Sequence, residues 1–377
     1  MHLAFLDLES RMKMKLLIDA RNLGSKPSGI GMYAYNWIKA LVDYDDMEIH
    51  VIVDVIESPQ IKEFDASRKI TVHSYGRTTN KSANVFAYFK YVKRLIKEIK
   101  PDIFWEINNL APVRIKNPYG KYIITIHDMF PLTMPGCFGR IYPYYFKYGL
   151  RKTINCVDGI VYNSNCTKKE TEMFFPKAKE KKCVISYIII PPIPEMDVED
   201  KDYFLYMGNL EKRKGTDILL NAYELYVQQG GTRELVIAGK IREDDIRQRV
   251  HELEDKIPSL HYMGYVDDDT RTRLYRECGC FVFPSRAEGF GMPVIEAMQC
   301  GKNVIASDLE IFNELVGNAI EVFSLDDSGA SVGNLTQKML KNISVTADGK
   351  RSLFEEANKY SVDKLKDIMQ EFFSALL

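Results

Sequence analysis

The stretch that decides the fold is Phe281-Val-Phe-Pro-Ser-Arg-Ala-Glu288-Gly-Phe-Gly-Met-Pro-Val-Ile-Glu296-Ala-Met-Gln-Cys-Gly301, followed by Asn303-Val-Ile-Ala306. It starts as a short apolar run, passes through a turn with two glycines, and continues with apolar residues at helical spacing. A second short apolar run follows. Two strands joined through a helix form a parallel β–α–β unit, which predicts an α/β protein.

Units of the same kind extend from this stretch in both directions. In the first half, strands are predicted over 14–19, 48–53, 103–105, 122–126 and 159–162, with helices over 29–41, over 85–100 and after Ser164. In the second half, strands are predicted over 203–207, 234–238, 261–263, 281–283 and 303–306, with helices over 216–229, 242–256, 268–278 and 293–300. Strands that alternate with helices indicate parallel, doubly wound sheets, and ligands bind at the carboxyl ends of such strands.

The length of 377 residues favours two domains, because single cores stop growing near ~250–300 residues. A proline cluster at 191–194 and an acidic run up to residue 202 interrupt the alternation, as a linker does. We therefore predict an N-terminal domain over 14–190, a linker over 191–202 and a C-terminal domain over 203–355. The amphipathic segment 356–377 is predicted to be a helix that packs back on the N-terminal domain. Residues 1–13 are left outside the fold.

Composition excludes several classes of protein. An aromatic content of 11% argues against disorder, and charges or Pro and Gly interrupt every apolar run before the ~18–20 residues that a membrane-spanning helix needs. The acidic N-terminal stretch does not resemble a signal peptide. The seven cysteines show no Cys-x2-Cys spacing, which favours buried thiols in a reducing cytoplasm over a zinc site or a disulfide framework.

Charge is distributed unequally. Residues 1–190 carry 29 Lys and Arg against 19 acidic residues, whereas residues 191–377 carry 22 against 33. Two basic segments rich in aromatics, 85–100 and 139–152, are candidates for peripheral contact with an anionic membrane. The alternatives are chance scatter of charge and, for 85–100, a packed surface helix with a solvated face. No nucleic-acid partner is expected.

The turn at 288–291 predicts a ligand site. Gly289 and Gly291 allow the backbone to approach a ligand, and the amides at the start of the following helix form an anion site. Glu288 precedes the turn and Glu296 lies about one helical turn further on. The two carboxylates can therefore address two parts of one elongated ligand, for instance a sugar hydroxyl and a ribose diol.

The loop after the first strand of the second half supplies positive charge. Arg213 and Lys214 are adjacent cations that suit phosphate binding, and Thr216 is predicted to cap the next helix. In the first half, His127 ends a predicted buried strand, where it is either structural or catalytic. The run 267–269 could suggest a metal site, but acidic residues at a helix start also complement the helix dipole.

Taken in order along the chain, these residues resemble glycosyltransferase family 4, the retaining, nucleotide-sugar-dependent enzymes of the GT-B architecture. The similarity covers nearly the whole chain after Met14. The matching elements are the loop Gly29-Ile-Gly31, His127-Asp128, the Asn163-Ser164 helix start, Gly208 to Gly215, Gly239, the stretch His261-Tyr-Met-Gly-Tyr-Val266, and Glu288 with Glu296. The resemblance implies two Rossmann-like domains that face a central cleft.

The resemblance also implies residue roles. Arg213 and Lys214 would neutralise the donor diphosphate, together with the amides of Phe290, Gly291 and Met292, and no metal or other cofactor would be needed besides the nucleotide sugar as co-substrate. Glu296 would hold the ribose hydroxyls. Glu288 and His127 would contact the transferred sugar. Gly29, Gly31, Gly208 and Val266 complete the implied donor site.

The family implies transfer of a hexose, with mannose as the candidate by analogy, to a glycan or polyprenyl-linked acceptor during surface polysaccharide or lipopolysaccharide synthesis at the cytoplasmic face of the membrane. Two departures stand out: Asn209 replaces an arginine common in relatives, and the connector 184–191 lacks a usual glycine. A nicotinamide-dependent oxidoreductase is a competing hypothesis, although Gly29-Ile-Gly31 supplies only part of its glycine pattern. A non-catalytic nucleotide-sugar-binding relic of the same fold is the other.

Overall fold

The computed structural model describes residues 13–25, 27, 29–67, 69–76, 81–109, 115–199, 201–326, 329–341 and 346–377, without the side chains of 81–86 and 347. The chain divides into two compact units. The first contains the residues up to Ile189 together with Leu365–Leu377, and the second contains Ile190–Lys364. In the described part of the chain, no helix is both long and apolar enough to cross a membrane.

The first unit is built on a parallel sheet of seven strands. Its elements are β1 (Met14–Asp19), α1 (Gly29–Leu41), β2 (Met47–Val53), α2 (Pro59–Ala66), β3 (Ile70–Ser74), α3 (Lys81–Ile99), β4 (Ile103–Glu106), β5 (Lys121–Ile126), α4 (Phe130–Thr133), α5 (Tyr142–Cys156), β6 (Gly159–Tyr162), α6 (Asn165–Phe174) and β7 (Lys182–Ile185). The strand order is β3-β2-β1-β4-β5-β6-β7. Leu16 of β1 pairs with Ile49 on one side and Ile103 on the other.

The second unit repeats this plan with six parallel strands in the order β10-β9-β8-β11-β12-β13. Its elements are β8 (Phe204–Met207), α7 (Thr216–Gln228), β9 (Leu235–Ala238), α8 (Asp244–Lys256), β10 (Leu260–Gly264), α9 (Asp268–Glu277), β11 (Cys280–Phe283), α10 (Met292–Gln299), β12 (Asn303–Ser307), α11 (Glu310–Val316), β13 (Glu321–Phe323), α12 (Ala330–Lys341) and α13 (Ala347–Ala357). The prediction of two doubly wound α/β sheets is confirmed.

One cluster of buried side chains covers a face of the first sheet. It combines residues of the strands with the inner faces of α3 and α5, represented by Val92 and Leu150. The predicted helix after Ser164 is confirmed, since Ser164 caps α6 by accepting a hydrogen bond from the Thr167 amide at 3.0 Å. Because α3 and α5 cover the same face of the first sheet, each of them has one buried side and one side directed away from the core.

The last helix, α14 (Val362–Leu376), belongs to the first unit from Leu365 onward. Phe373 is buried and packs edge-on against Trp105 at 5.7 Å between ring centroids. Gly159 of β6 lies under the helix, where an added Cβ would come within 3.0 Å of the Phe372 ring. A glycine in this strand therefore lets the helix approach the sheet closely.

All seven cysteines are thiols outside any disulfide. Cys278, Cys280 and Cys300 are buried as predicted, and burial raises the pKa of the Cys300 thiol to about 11. The prediction of core thiols is wrong for Cys137 and Cys156, which are exposed. Cys156 ends α5 on a side of the helix that faces solvent, which apolar spacing along the helix did not reveal.

Candidate functional site

Two loops meet at the centre of the second sheet. β8 and β11 are neighbours in the sheet although they are distant in sequence. Such a reversal of strand order opens a crevice at the carboxyl ends of the strands. A short 3-10 turn over Lys212–Lys214 follows β8, and the loop after β11 folds against it, since the Arg286 amide donates to the Arg213 carbonyl at 2.9 Å.

Lys214 and Glu288 form an ion pair between these loops. The Lys214 Nζ lies 2.7 Å from Oε1 and 2.8 Å from Oε2 of Glu288. The Lys214 side chain is 18% exposed and the Glu288 side chain is 6% exposed. The Lys214 ammonium also lies 5.5 Å from the centroid of the Phe283 ring. An ammonium has three donors, so this pairing leaves one for a further acceptor. The carboxylate thus holds a cation in place at the edge of the sheet.

Arg213 connects the same two loops. Its Nη2 donates to Oε1 of Glu211 at 2.6 Å, and its Nη1 donates to the carbonyl of Ala287 at 3.1 Å. Ala287 directly precedes Glu288 in the chain. The guanidinium therefore adds positive charge to the crevice and fixes the backbone next to the ion pair.

Glycines at two positions make this close approach possible. Gly215 has a φ of 67°, and a Cβ there would lie 1.7 Å from the Pro284 carbonyl oxygen. Gly291 has a φ of 96°, and a Cβ there would lie 2.6 Å from the Phe312 ring. Other residues rarely adopt this left-handed backbone. The glycine pattern is thus needed for the shape of the loops themselves.

The helix α10 starts at the crevice and carries Glu296 one turn inside. Oε2 of Glu296 accepts a hydrogen bond from the Tyr275 hydroxyl at 2.8 Å, and Oε1 lies 3.7 Å from Nη1 of Arg271. Burial raises the pKa of Tyr275 well above its ordinary value, so the hydroxyl keeps its proton. The carboxylate is therefore oriented by two side chains of α9.

The remaining donor-site candidates of this unit have different surroundings. The Phe290 ring is buried and packs perpendicular to Tyr360 at 5.5 Å, and Met292 is the first residue of α10. Gly208 follows β8 directly. Val266 is half-buried after the edge strand β10, two strands from β8.

Two local predictions were tested directly. The prediction that Thr216 caps α7 is wrong: the cap position is Gly215, and the Thr216 hydroxyl instead accepts from the Glu211 amide at 3.2 Å. Asp267 does cap α9 by accepting from the Thr270 amide at 2.8 Å, which accounts for the acidic run. Across the described residues, no group of three or more His, Cys, Asp or Glu is placed to hold a metal ion.

His127 lies in the first unit, at the carboxyl end of β5, and is almost completely buried. Its Nε2 lies 2.7 Å from the Ile107 carbonyl, its amide donates to Asn109, and its ring meets Tyr33 edge-on at 4.8 Å. Because a carbonyl only accepts, Nε2 carries the proton and Nδ1 is an acceptor. Burial lowers the pKa of His127 to about 4. The imidazole is thus neutral near pH 7 and can accept a hydrogen bond from a hydroxyl.

The predicted glycine loop of the first unit is helical. Gly29 and Gly31 form the first turn of α1, and Gly31 is buried, with an added Cβ only 2.4 Å from the Asn22 carbonyl oxygen. Gly31 therefore allows the helix start to approach the preceding turn. Residues 26 and 28 of the loop lie outside the described residues.

Sequence reasoning missed a polar cluster at the carboxyl ends of β1 and β4. Arg21 contacts Asp19 at 2.8 Å and Glu106 at 3.0 Å, and both carboxylates are fully buried. The Tyr88 hydroxyl donates to Asp19, and the amide of Asn108 donates to Glu106 at 2.9 Å. An Asp and an Arg two residues apart at a strand end, and a Glu ending another apolar strand, are the signals that could have revealed it.

The missed side chains of the second unit, Tyr275 and Arg271, gave a weaker signal. They lie on α9, whose sequence reads as an ordinary amphipathic helix. Their contact with Glu296 depends on how α9 lies beside α10, the next helix along the chain, and a linear pattern does not contain that packing.

The comparison with solved structures identifies the fold. The crystal structure of Anabaena HepE in complex with UDP and glucose superposes with a TM-score of 0.69 and 16% identity, over 96% of this chain and all of that one. The similar solved structures are GT-B glycosyltransferases, so the two doubly wound sheets of this chain have the GT-B architecture.

The family follows from two sequence profiles. The profile "Glycosyltransferase Family 4" matches residues 27–187, and "Glycosyl transferases group 1" matches residues 194–344. The first match falls in the first unit and the second match in the second unit. The chain is therefore a family 4-like, group 1 glycosyltransferase of the GT-B architecture.

Two curated relatives extend over most of the chain. O-antigen chain mannosyltransferase B of Escherichia coli is 25% identical over 86% of this chain and 91% of its own length. O-antigen chain mannosyltransferase RfbU of Salmonella typhimurium is 23% identical over 94% of this chain and 98% of its own length. The comparisons lend no support to the oxidoreductase hypothesis.

Proposed function

We propose that this protein is a retaining hexosyltransferase that transfers a sugar, mannose by analogy with the two relatives, from a nucleoside-diphosphate sugar to a glycan or polyprenyl-linked acceptor. The process it serves would be the synthesis of a surface polysaccharide such as O-antigen. The observation that carries the donor assignment is the Lys214–Glu288 ion pair at the carboxyl ends of β8 and β11. The relatives named for mannose transfer and the solved neighbour with bound UDP and glucose support it.

The geometry suits departure of a nucleoside diphosphate. When the bond between the sugar and the diphosphate breaks, negative charge grows on the phosphate oxygens and must be stabilised. Arg213, Lys214 and the amides at the start of α10 supply that stabilisation from fixed positions. Glu288 lies against Lys214, where it can accept a hydrogen bond from a hydroxyl of the sugar.

The remaining roles follow the polarity of each side chain. Glu296, oriented by Tyr275, is placed to accept hydrogen bonds from the two ribose hydroxyls. His127, as a neutral acceptor at Nδ1, is suited to a hydroxyl of the transferred sugar. We also propose that the reaction needs no metal or additional cofactor, because protein cations provide the charge, and that the protein works in the cytoplasm in peripheral contact with the membrane.

A panel of nucleotide sugars tests the proposal. Purified protein is incubated with GDP-mannose, UDP-glucose, UDP-galactose and UDP-N-acetylglucosamine, and release of the nucleoside diphosphate is measured with and without excess EDTA. We expect release from one donor, unaffected by EDTA, and, in reactions that also contain a glycan acceptor, a glycoside whose anomeric configuration by NMR equals that of the donor. Complete loss with EDTA that is restored by manganese would contradict metal independence, and an inverted product would contradict retention.

A further inference from the structure

The helix α5 presents an aromatic face to solvent. Ile141, directly before the helix, is 81% exposed, and Tyr144, Tyr145 and Tyr148 are 77%, 55% and 58% exposed. Spacings of three, four and seven residues place these four side chains on one side of the helix. Of the fourteen large hydrophobic residues that are exposed in the described part of the chain, five lie between 141 and 148. This concentration needs an explanation that scattered surface residues do not.

The opposite side of α5 packs in the hydrophobic core of the first unit. Phe146, Leu150 and Ile154 belong to the buried cluster on the first sheet. The exposed tyrosines are therefore not required for packing of the helix on its own unit. They form a second apolar surface on the same helix.

Positive charge predominates around this face, although burial and then the nearby Asp128 carboxylate raise the pKa of Tyr142 at the start of the helix. Residues 129–157 contain no Asp or Glu, whereas Arg140, Lys147, Arg151 and Lys152 are all exposed. The Lys152 Nζ lies 5.4 Å from the ring centroid of Tyr148, so cation and aromatic groups share one surface. Tyrosine and cationic side chains are the residues that favour the headgroup region of a membrane.

The second basic segment, α3, behaves differently. Its cations Lys93, Arg94 and Lys97 are exposed, but Tyr88 is buried in the core. Arg94 is also paired with Glu98 at 3.5 Å. This helix combines a solvated charged face with buried aromatics, as the alternative to the membrane hypothesis requires.

We propose that α5 is the surface by which this protein docks on an anionic lipid bilayer, with the tyrosine rings at headgroup level and the lysines and arginines on lipid phosphates. The proposal rests on the proposed function only for the idea of a lipid-borne acceptor. Anionic lipid fits better than a glycan or a second copy of the chain, because an exposed isoleucine and four exposed cations, with no acidic residue between 129 and 157, match neither a polyhydroxyl surface nor a like-charged copy.

Flotation with vesicles tests the surface directly. The full-length protein is mixed at low salt with vesicles of phosphatidylglycerol and phosphatidylcholine in equal parts, or of phosphatidylcholine alone, without donor or acceptor. We expect flotation with the anionic vesicles only, and a decrease as salt rises. The triple variant Tyr144→Ser, Tyr145→Ser, Tyr148→Ser should lose on the order of tenfold in partitioning, and Lys147→Glu with Arg151→Glu should lose roughly fivefold or more for each cation.

Matched controls separate this surface from general attraction by charge. Tyr119→Ser removes another exposed tyrosine of the first unit, and Lys93→Glu with Lys97→Glu makes the same charge change on α3 as the α5 charge variant. We expect Tyr119→Ser to bind like wild type and the α3 variant to retain most of its binding. A Tyr144→Trp variant should bind at least as well as wild type, because tryptophan also favours the interface.

Three outcomes would overturn the proposal. They are absence of wild-type flotation with anionic vesicles, equal losses for the α3 and α5 charge variants, and a lipid-independent dimer that the tyrosine variant abolishes. Nucleoside diphosphate binding is measured on the same samples by calorimetry. Because that readout depends on the second unit, failure of docking with normal nucleotide binding is distinguishable from failure of the proposed function.

Discussion

Each unit places a cation from the loop after its first strand against a carboxylate of its fourth strand or of the loop that follows it, yet the two arrangements differ in their acidic partners. In the first unit, Arg21 meets both Asp19 and Glu106, whose side chains are fully buried, while the arginine itself is 24% exposed. In the second unit, Lys214 is 18% exposed and meets the single carboxylate of Glu288, which is 6% exposed beside a glycine-rich turn. The same point of one topology thus holds two fully buried acidic side chains in one sheet and a single ion pair beside a glycine-rich turn in the other.

The largest effect is expected in the first unit, where both acidic partners are fully buried. Arg21→Ala leaves the buried side chains of Asp19 and Glu106 without their cation, and breaking a buried pair in this way costs about 3–5 kcal/mol. Both tryptophans of the chain, Trp37 and Trp105, are buried in the first unit, so tryptophan fluorescence during urea unfolding reports on that unit alone. We expect the first unit of the variant to unfold at a much lower urea concentration.

The control for this experiment is the exposed pair of Lys39 and Glu63 on the same unit. Lys39→Ala should change stability by about 0–1 kcal/mol.

Burial, and then the neighbouring charge of Asp19, raise the pKa of Glu106 well above 4.5, so the folded state holds a proton that the unfolded chain releases. Stability from this group is therefore lost as pH rises above 4.5, and removal of Arg21, whose charge lowers the pKa of Glu106, should extend that loss to higher pH. If Arg21→Ala lowered the free energy of unfolding no more than Lys39→Ala does, the cluster of Arg21, Asp19 and Glu106 would not be a structural one.

The next largest effect is expected on catalysis, at the Lys214–Glu288 pair of the second unit. Lys214→Ala removes a cation from the proposed phosphate site and should lower kcat/KM by roughly 10²–10³-fold, as loss of a preorganised donor does. Calorimetry should show nucleoside diphosphate binding weakened by about 1.5–3 kcal/mol in Lys214→Ala and in Arg213→Ala.

Lys212→Ala is a matched control for Lys214→Ala. Lys212 lies in the same short turn, but it is exposed and its ammonium pairs with Asp245 on α8. Its removal should leave nucleotide affinity and turnover almost unchanged. Equal losses for Lys212 and Lys214 variants would mean that the loop acts only through its overall charge.

A smaller and more selective difference is expected between the two glutamates. Glu296→Ala should weaken binding of the nucleoside diphosphate by about 1.5–3 kcal/mol, since it removes hydrogen bonds from a charged acceptor. Glu288→Ala should lower turnover while affinity for the free nucleotide stays the same. If the two variants changed free-nucleotide affinity equally, the division of roles between sugar and ribose would be wrong.

The smallest effect is expected from Tyr275→Phe, which removes only the hydroxyl that orients Glu296. Nucleotide affinity should fall by about 0.5–1.5 kcal/mol. In a Glu296→Ala background the same substitution should have no further effect, because the hydroxyl acts through that carboxylate. An undiminished effect in the double variant would assign Tyr275 a role independent of Glu296.

The sequence predicted the elements of this fold closely because alternation of short apolar runs with helical spacing is a local signal. The strand predicted over 303–306 extends over Asn303–Ser307, and the helix predicted over 293–300 begins at Met292. The Thr216 prediction failed because the left-handed Gly215 takes the cap position and the threonine hydroxyl turns back to the preceding loop.

Contacts across the sheets could not be predicted in the same way. Lys214 and Glu288 were both selected from the sequence, but their pairing depends on the order of β8 and β11, which a linear pattern does not contain. The basic segments illustrate the same limit: α3 and α5 have similar compositions, yet the tyrosines of α5 face solvent while Tyr88 of α3 faces the core. The composition of a segment therefore does not show which of its side chains face solvent, because that depends on how the segment packs in the fold.

The return of α14 to the first unit has a consequence for biosynthesis. Residues 365–377 are translated after the whole second unit, but Phe373 and Leu376 complete the apolar cover of β4 and β6. While the second half of the chain is being synthesised on the ribosome, the apolar side chains of β4 and β6 therefore remain uncovered. Such an intermediate exposes apolar surface to chaperones and to other nascent chains, so the yield of native protein should depend on residues far from any substrate.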